Sequence, residues 1–128
     1  MRIEHAALYV RDLEGAKAFF QTFFGGCAGE RYHNPRTGFS SYFLTFEEGA
    51  RLELMTRPGV EEGPAPQTFQ VGYAHLAFSL GSREAVDALT SQLSQAGWRV
   101  TSGPRVTGDG YYESCVVGPE GILVELTV

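Results

Sequence analysis

Apolar and polar residues alternate from Ile3 to Val10. Glu4, Ala6, Leu8 and Val10 fall on one side, and Ile3, His5, Ala7 and Tyr9 on the other. A period of two is the mark of a strand. The period then lengthens: Leu13, Ala16, Phe20, Phe23 and Phe24 recur at helical spacing behind Asp12, a side chain suited to an N-cap, and Gly25-Gly26 offers a left-handed stop. Three more strands are expected over Cys27 to Tyr32, Phe39 to Phe46 and Arg51 to Arg57, divided by turns at Asn34-Pro35 and Glu48-Gly49. Pro58 to Gly72 holds three prolines and three glycines and reads as a linker.

The order then repeats. Tyr73 to Leu80 has strand character; Ser82 caps a helix whose apolar side is Val86, Leu89, Leu93 and Ala96, and Gly97 ends it. Trp98 to Gly103, Tyr112 to Val117 and Ile122 to Thr127 are the remaining strand candidates. Residues repeat as well as elements. Glu48-Gly49-Ala50-Arg51-Leu52-Glu53-Leu54 returns as Glu120-Gly121-Ile122-Leu123-Val124-Glu125-Leu126, a shift of 72, and His5 to Val10 returns as His75 to Leu80, a shift of 70. Matches in the same order mark a duplication. The expected fold is α+β, with a first βαβββ module over 1–57, a linker over 58–72 and a second module over 73–128.

Composition narrows the function classes. Across 128 residues, 43% are hydrophobic and 12% aromatic, enough for a core without disulfide staples and too apolar for disorder. The net charge of −5 with no basic run removes the electrostatic footprint of a nucleic-acid binder and gives no attraction to an anionic membrane. No apolar stretch reaches the roughly 20 residues that span a bilayer, and the first residues lack the apolar core of a signal peptide. Cys27 and Cys115 stand far apart in no CxxC pattern, so both are expected as reduced thiols filling small places in the core of a cytoplasmic protein.

Candidate chemistry comes from four residues. In the two opening strands, Leu8 and Val10, and likewise Leu76, Phe78 and Leu80, take the helix side, so His5 and His75 point away. In the closing strands, Leu52 and Leu54 flank Glu53, and Val124 and Leu126 flank Glu125, which turns both glutamates to the same outer side. A single histidine or glutamate on a strand is most often structural or solvated. Two of each at duplicated positions on one face is a different observation. A carboxylate there needs a counter-charge or must give up its own. No lysine flanks either glutamate, and Arg51 is the one neighbouring cation on the Glu53 face. A divalent ion would use both imidazoles and both carboxylates, a mixed nitrogen and oxygen set suited to Ni, Co, Zn, Mn or Fe.

The duplicated plan with His5, Glu53, His75 and Glu125 resembles the vicinal oxygen chelate superfamily, which includes glyoxalase I, bleomycin-resistance proteins and extradiol dioxygenases. Within it, the chain looks most like a glyoxalase-I-like metal-site subgroup. The resemblance implies a U-shaped mixed sheet with helices outside, one divalent metal held by those four side chains, and a homodimer. It further implies a metal-dependent lyase or isomerase acting on a small α-oxygenated carbonyl compound by proton abstraction and enediolate stabilisation. Glu125 is then the nominated base, with Glu53 its symmetric alternative. Where bacterial glyoxalase I carries an arginine four residues after its first histidine, this chain has Tyr9, with Arg36 and Arg51 as candidate replacements. Tyr9, Phe43, Arg51 and Tyr111 are the expected substrate-pocket residues. A ferrous-iron dioxygenase, using two histidines and one carboxylate, is the second reading. A binding protein that sequesters an aromatic or antibiotic molecule on Tyr9, Phe43, Trp98, Tyr111 and Tyr112 is the third. His33 lies in a loop, and Gly108-Asp109-Gly110 is a turn with no helix behind it to cradle a phosphate.

Overall fold

The computed structural model describes residues 1–63, 69 and 71–128. The fold is mixed α+β, and the chain divides into two compact units, Met1–Glu62 and Gly63–Val128. The linker expected over 58–72 falls in part on residues 64–68 and 70, outside the described residues.

In the first unit, β1 (His5–Tyr9) leads into α1 (Leu13–Phe24), followed by β2 (Cys27–Ala28), β3 (Tyr32–His33), β4 (Ser40–Thr45) and β5 (Arg51–Thr56). The sheet order is β1-β5-β4-β2, with β3 also paired to β4. The first and last strands run parallel, and the parallel ladder sets His5 opposite Arg51 and Ala7 opposite Glu53. The Asp12 carboxylate accepts the Gly15 amide at 2.9 Å, satisfying a donor that the first helical turn cannot use. One face of α1 buries Leu13, Ala16, Phe19 and Phe20 against the sheet side that carries Leu44, Leu52 and Leu54. Tyr42 ties sheet to helix: its hydroxyl donates to Glu14 at 2.8 Å, while the Lys17 ammonium lies 4.3 Å over its ring.

The second unit holds β6 (Leu76–Ser79), α2 (Arg83–Gln95), β7 (Arg99–Val106), β8 (Tyr112–Val117), a 3-10 turn (Pro119–Gly121) and β9 (Leu123–Thr127). Its sheet order is β6-β9-β8-β7, again with first and last strands parallel. Ser82 accepts the Ala85 amide at 3.1 Å and caps α2. Val86, Thr90 and Leu93 are buried with Val116, Val124 and Leu126 of the sheet. Thr90 would be an unsatisfied polar group there, but its hydroxyl donates to the Val86 carbonyl at 2.6 Å and receives that of Ser114 at 2.6 Å.

Three expectations need correction. The strand expected over Cys27 to Tyr32 is two short strands, because Ala28 pairs with Leu44 and Tyr32 with Ser41. Four steps on one side against three on the other leave one residue over, and a bulge absorbs it. The strand expected to stop at Gly103 continues to Val106, with register shifts between Val100 and Arg105. Gly103 allows this at φ +76: a Cβ there would stand 2.3 Å from the Glu113 carbonyl. On the helices, Phe19 is buried although Phe20, Phe23 and Phe24 were the expected stripe, and Ala96 is exposed because α2 ends before it.

Candidate functional site

The strand alternation turns one face of each sheet toward its helix and leaves the other for polar side chains. In the first unit that outer face carries His5, Phe43, Arg51 and Glu53. In the second it carries His75, Glu113, Cys115 and Glu125, with His75 immediately before β6.

Each unit brings one imidazole to one carboxylate. His5 Nε2 stands 3.9 Å from Glu53 Oε2, and His75 Nε2 stands 3.3 Å from Glu125 Oε2. Side-chain exposures agree as closely: 40% and 41% for the histidines, 15% and 20% for the glutamates. Two ligands side by side on one ion with bonds of about 2.0–2.2 Å stand roughly 2.8–3.6 Å apart, the short end for octahedral and the long end for tetrahedral angles. The second pair has that span, and the first is wider. Each pair by itself offers one imidazole nitrogen and one carboxylate. Among the described residues, no group of three or more His, Cys, Asp or Glu side chains has the geometry to hold a metal ion.

The surroundings of the pairs differ. In the first unit Arg51 does not pair with Glu53; its Nε and Nη2 reach Glu4 Oε1 at 2.7 and 2.6 Å. The other oxygen of Glu4 meets His5 Nδ1 at 2.5 Å. The His5 hydrogen bond, helped by the Arg51 guanidinium, holds the Glu4 carboxyl below the usual carboxylate range. Alternation had put Glu4 on the helix side, but the strand begins only at His5, so Glu4 is free of that constraint. Phe43 closes the group: the Arg51 guanidinium lies 4.2 Å over its ring, and His5 meets it edge-on at 5.4 Å between centroids.

In the second unit the ladder sets Cys115 opposite Glu125, where the first sets Phe43 opposite Glu53. Burial raises the Cys115 thiol, and burial together with the negative charge of Glu125 raises the Glu113 carboxyl. Arg105 Nη2 is 4.0 Å from Glu113. Glu113 was not singled out from the sequence, because its place beside Glu125 depends on the β8–β9 register.

The expected pocket residues separate. Tyr9 is exposed and lines an open cleft of about 330 Å3 with Arg57, Pro58, Gly59, Val60 and Glu61. Phe43 and Arg51 belong to the His5 group. Tyr111 sits in the turn between β7 and β8, its amide donating to Thr107. Arg36 is exposed in the turn after β3, where its amide donates to Asn34. His33 is exposed as expected but lies in β3 rather than a loop, because it pairs with Ser40, whose hydroxyl is 2.7 Å from its Nδ1.

The model of the Glyoxalase/Bleomycin resistance protein/Dioxygenase superfamily matches residues 2–126. The chain belongs to this superfamily. It is 30% identical to the Bacillus subtilis protein YqjT over 131 aligned positions, covering 97% of this chain and 96% of that one. The structure of a possible glyoxalase from Bacillus cereus is 26% identical with a TM-score of 0.71, covering 100% of this chain and 99% of that one. The trypanothione-dependent glyoxalase I of Leishmania major is 21% identical with a TM-score of 0.78, covering 99% of this chain and 86% of that one, and shares the fold. Superfamily members bind small-molecule substrates, and often use a metal ion and form dimers. No helix among the described residues is long and apolar enough to cross a membrane.

Proposed function

We propose that the chain is a metal-dependent lyase or isomerase of the glyoxalase I type, with one divalent ion among Ni, Co, Zn, Mn and Fe, acting on a small α-oxygenated carbonyl compound. His5, Glu53, His75 and Glu125 are its donors, one imidazole and one carboxylate from each of the modules 1–57 and 73–128. The observation that carries this reading is the duplicated pair. Equivalent strands present His and Glu at nearly equal exposure, and neither Glu53 nor Glu125 has a lysine or arginine within ion-pair distance among the described residues. A carboxylate kept partly buried with no lysine or arginine beside it gains from a bound cation.

The bound ion supplies Lewis-acid polarisation of a carbonyl next to the C–H bond that breaks. The protein supplies the rest. Glu125, with an oxygen facing His75, is the group that takes the proton from carbon and returns it to the neighbouring position. Glu53 holds the equivalent place in the first module and acts as a donor. The open cleft lined by Tyr9, Arg57 and Glu61 offers polar side chains to the polar end of a small substrate. The working assembly on this reading is a cytoplasmic homodimer; both cysteines are free thiols, as a reducing compartment requires.

Elemental analysis of protein purified without added metal tests the reading directly. About one divalent ion per chain is expected, falling sharply in His5→Ala and His75→Ala. Metal content indistinguishable between wild type and both variants would overturn it. Oxygen consumption that requires ferrous iron and a catechol-like substrate would instead make the protein a dioxygenase.

A further inference from the structure

We infer that Glu4 is the positioning residue of His5: anchored by Arg51, it fixes the imidazole in the tautomer that leaves Nε2 bare toward Glu53. An ionised carboxylate has lone pairs to offer and no proton. Arg51 donates to one Glu4 oxygen from both Nε and Nη2, at 2.7 and 2.6 Å. The other oxygen stands 2.5 Å from His5 Nδ1, so the hydrogen between them belongs to the ring nitrogen. A neutral imidazole carries one N–H, and with Nδ1 taken, Nε2 keeps its lone pair. That lone pair lies on the Glu53 side, at 3.9 Å.

The backbone builds the arrangement. In the parallel ladder His5 stands opposite Arg51, and the Arg51 amide donates to the Glu4 carbonyl at 3.0 Å. The two side chains therefore leave the sheet next to each other. Phe43 completes the circuit by stacking under the guanidinium and meeting the imidazole edge-on. His5, Glu4, Arg51 and Phe43 each touch the next, and a flip of the ring about χ2 would break the Nδ1 hydrogen bond to Glu4.

The second module has no counterpart. Ala74 precedes His75 where Glu4 precedes His5, and Leu123 stands where Arg51 stands. Among the described residues, Glu125 is the one charged side chain paired with His75. Duplication thus produced two imidazoles under different control, His5 held at Nδ1 by Glu4 and His75 facing Glu125 through Nε2. The role toward a metal rests on the function proposed above; the tautomer does not.

The test uses the full chain, free of metal, with nitrogen-15 shifts of the His5 and His75 rings, assigned apart from His33, read above neutral pH. Wild type should show His5 with hydrogen on Nδ1 and a bare Nε2. Glu4→Ala should return His5 toward the free-imidazole mixture dominated by the Nε2–H form, with His75 unchanged; Arg51→Gln should move it the same way with Glu4 in place. Zn2+ added to wild type and Glu4→Ala should bind about 10–100-fold more weakly to the variant, the usual effect of removing such an outer partner. His5 in the Nε2–H form in wild type, or still in the Nδ1–H form in both variants, would overturn the inference. An altered tautomer with unchanged Zn2+ affinity supports the Glu4 control of His5 and overturns its role toward a metal. Zn2+ bound by neither protein, with the expected tautomers, sinks the metal reading and leaves the fixed tautomer standing.

Discussion

The two modules are built alike where the chemistry would be and unlike around it. Each runs its first and last strands in parallel and presents a histidine and a glutamate at matching places, with exposures equal to within five percentage points. Around the first pair lies a charge-compensated group, Glu4 against Arg51, resting on an aromatic ring. Around the second lie a further carboxyl, Glu113, and a thiol, Cys115. Their cores diverge too. Tyr42 and Ser114 hold the same ladder place, opposite Leu54 and Leu126, yet one reaches out to Glu14 and the other bonds a buried threonine. Duplicated strands hold the histidine–glutamate geometry, and the neighbours are free to give each half its own electrostatics.

Turnover should break the symmetry most. Glu125→Gln is expected to lower kcat about 10²–10⁴-fold, the usual worth of a positioned base, while keeping most of the metal. Glu53→Gln should cost more in metal affinity than in kcat at saturating metal. Kinetics and metal content for both variants decide it, and equal losses in the two would make the carboxylates interchangeable. Stability comes next. Leu54→Ala and Leu126→Ala remove fully buried side chains at equivalent places and should each cost about 2–5 kcal/mol in denaturant unfolding. Thr90→Val should cost about 1–3 kcal/mol, because it strands the Ser114 hydroxyl in the core. The first module has no such pair at Tyr42.

The smallest expected effect has opposite signs in the two halves. Hydrogen bonds from Lys17 and Tyr42 lower the Glu14 carboxyl below 4.5, so its contribution is present above that pH and lost as pH falls through the lowered value. Burial and Glu125 raise the Glu113 carboxyl above 4.5, so its folded form prefers the proton and stability declines as pH rises through the raised value. At neutral pH, metal-free Glu14→Gln should therefore unfold at lower denaturant than wild type, and Glu113→Gln at higher. Both differences should fade in acid below the carboxylate range.

Much of this was legible before any coordinates. Alternation around His5 and His75 set their side of the sheet, and the Glu48–Leu54 and Glu120–Leu126 repeats supplied the glutamates. Helix starts were equally plain, since Asp12 and Ser82 cap as their side chains dictate. What escaped depends on register. Arg51 next to Glu4 and Glu113 next to Glu125 follow from pairings between distant strands, and no local period encodes those. Phe19 escaped for another reason: four phenylalanines within six positions let the apolar stripe be drawn on more than one side of the helix. The bulge after Ala28 escaped because a surplus residue is visible only against its partner strand.

The two thiols differ in a way that has experimental use. Cys27 is exposed on the short second strand, while Cys115 is half-buried with its ionisation disfavoured. Thiol-directed dyes react through the thiolate, so a brief exposure to maleimide marks Cys27 far ahead of Cys115. The molecule thus comes with an attachment point for a fluorophore on one half, and the other half can be studied in the same sample without a label.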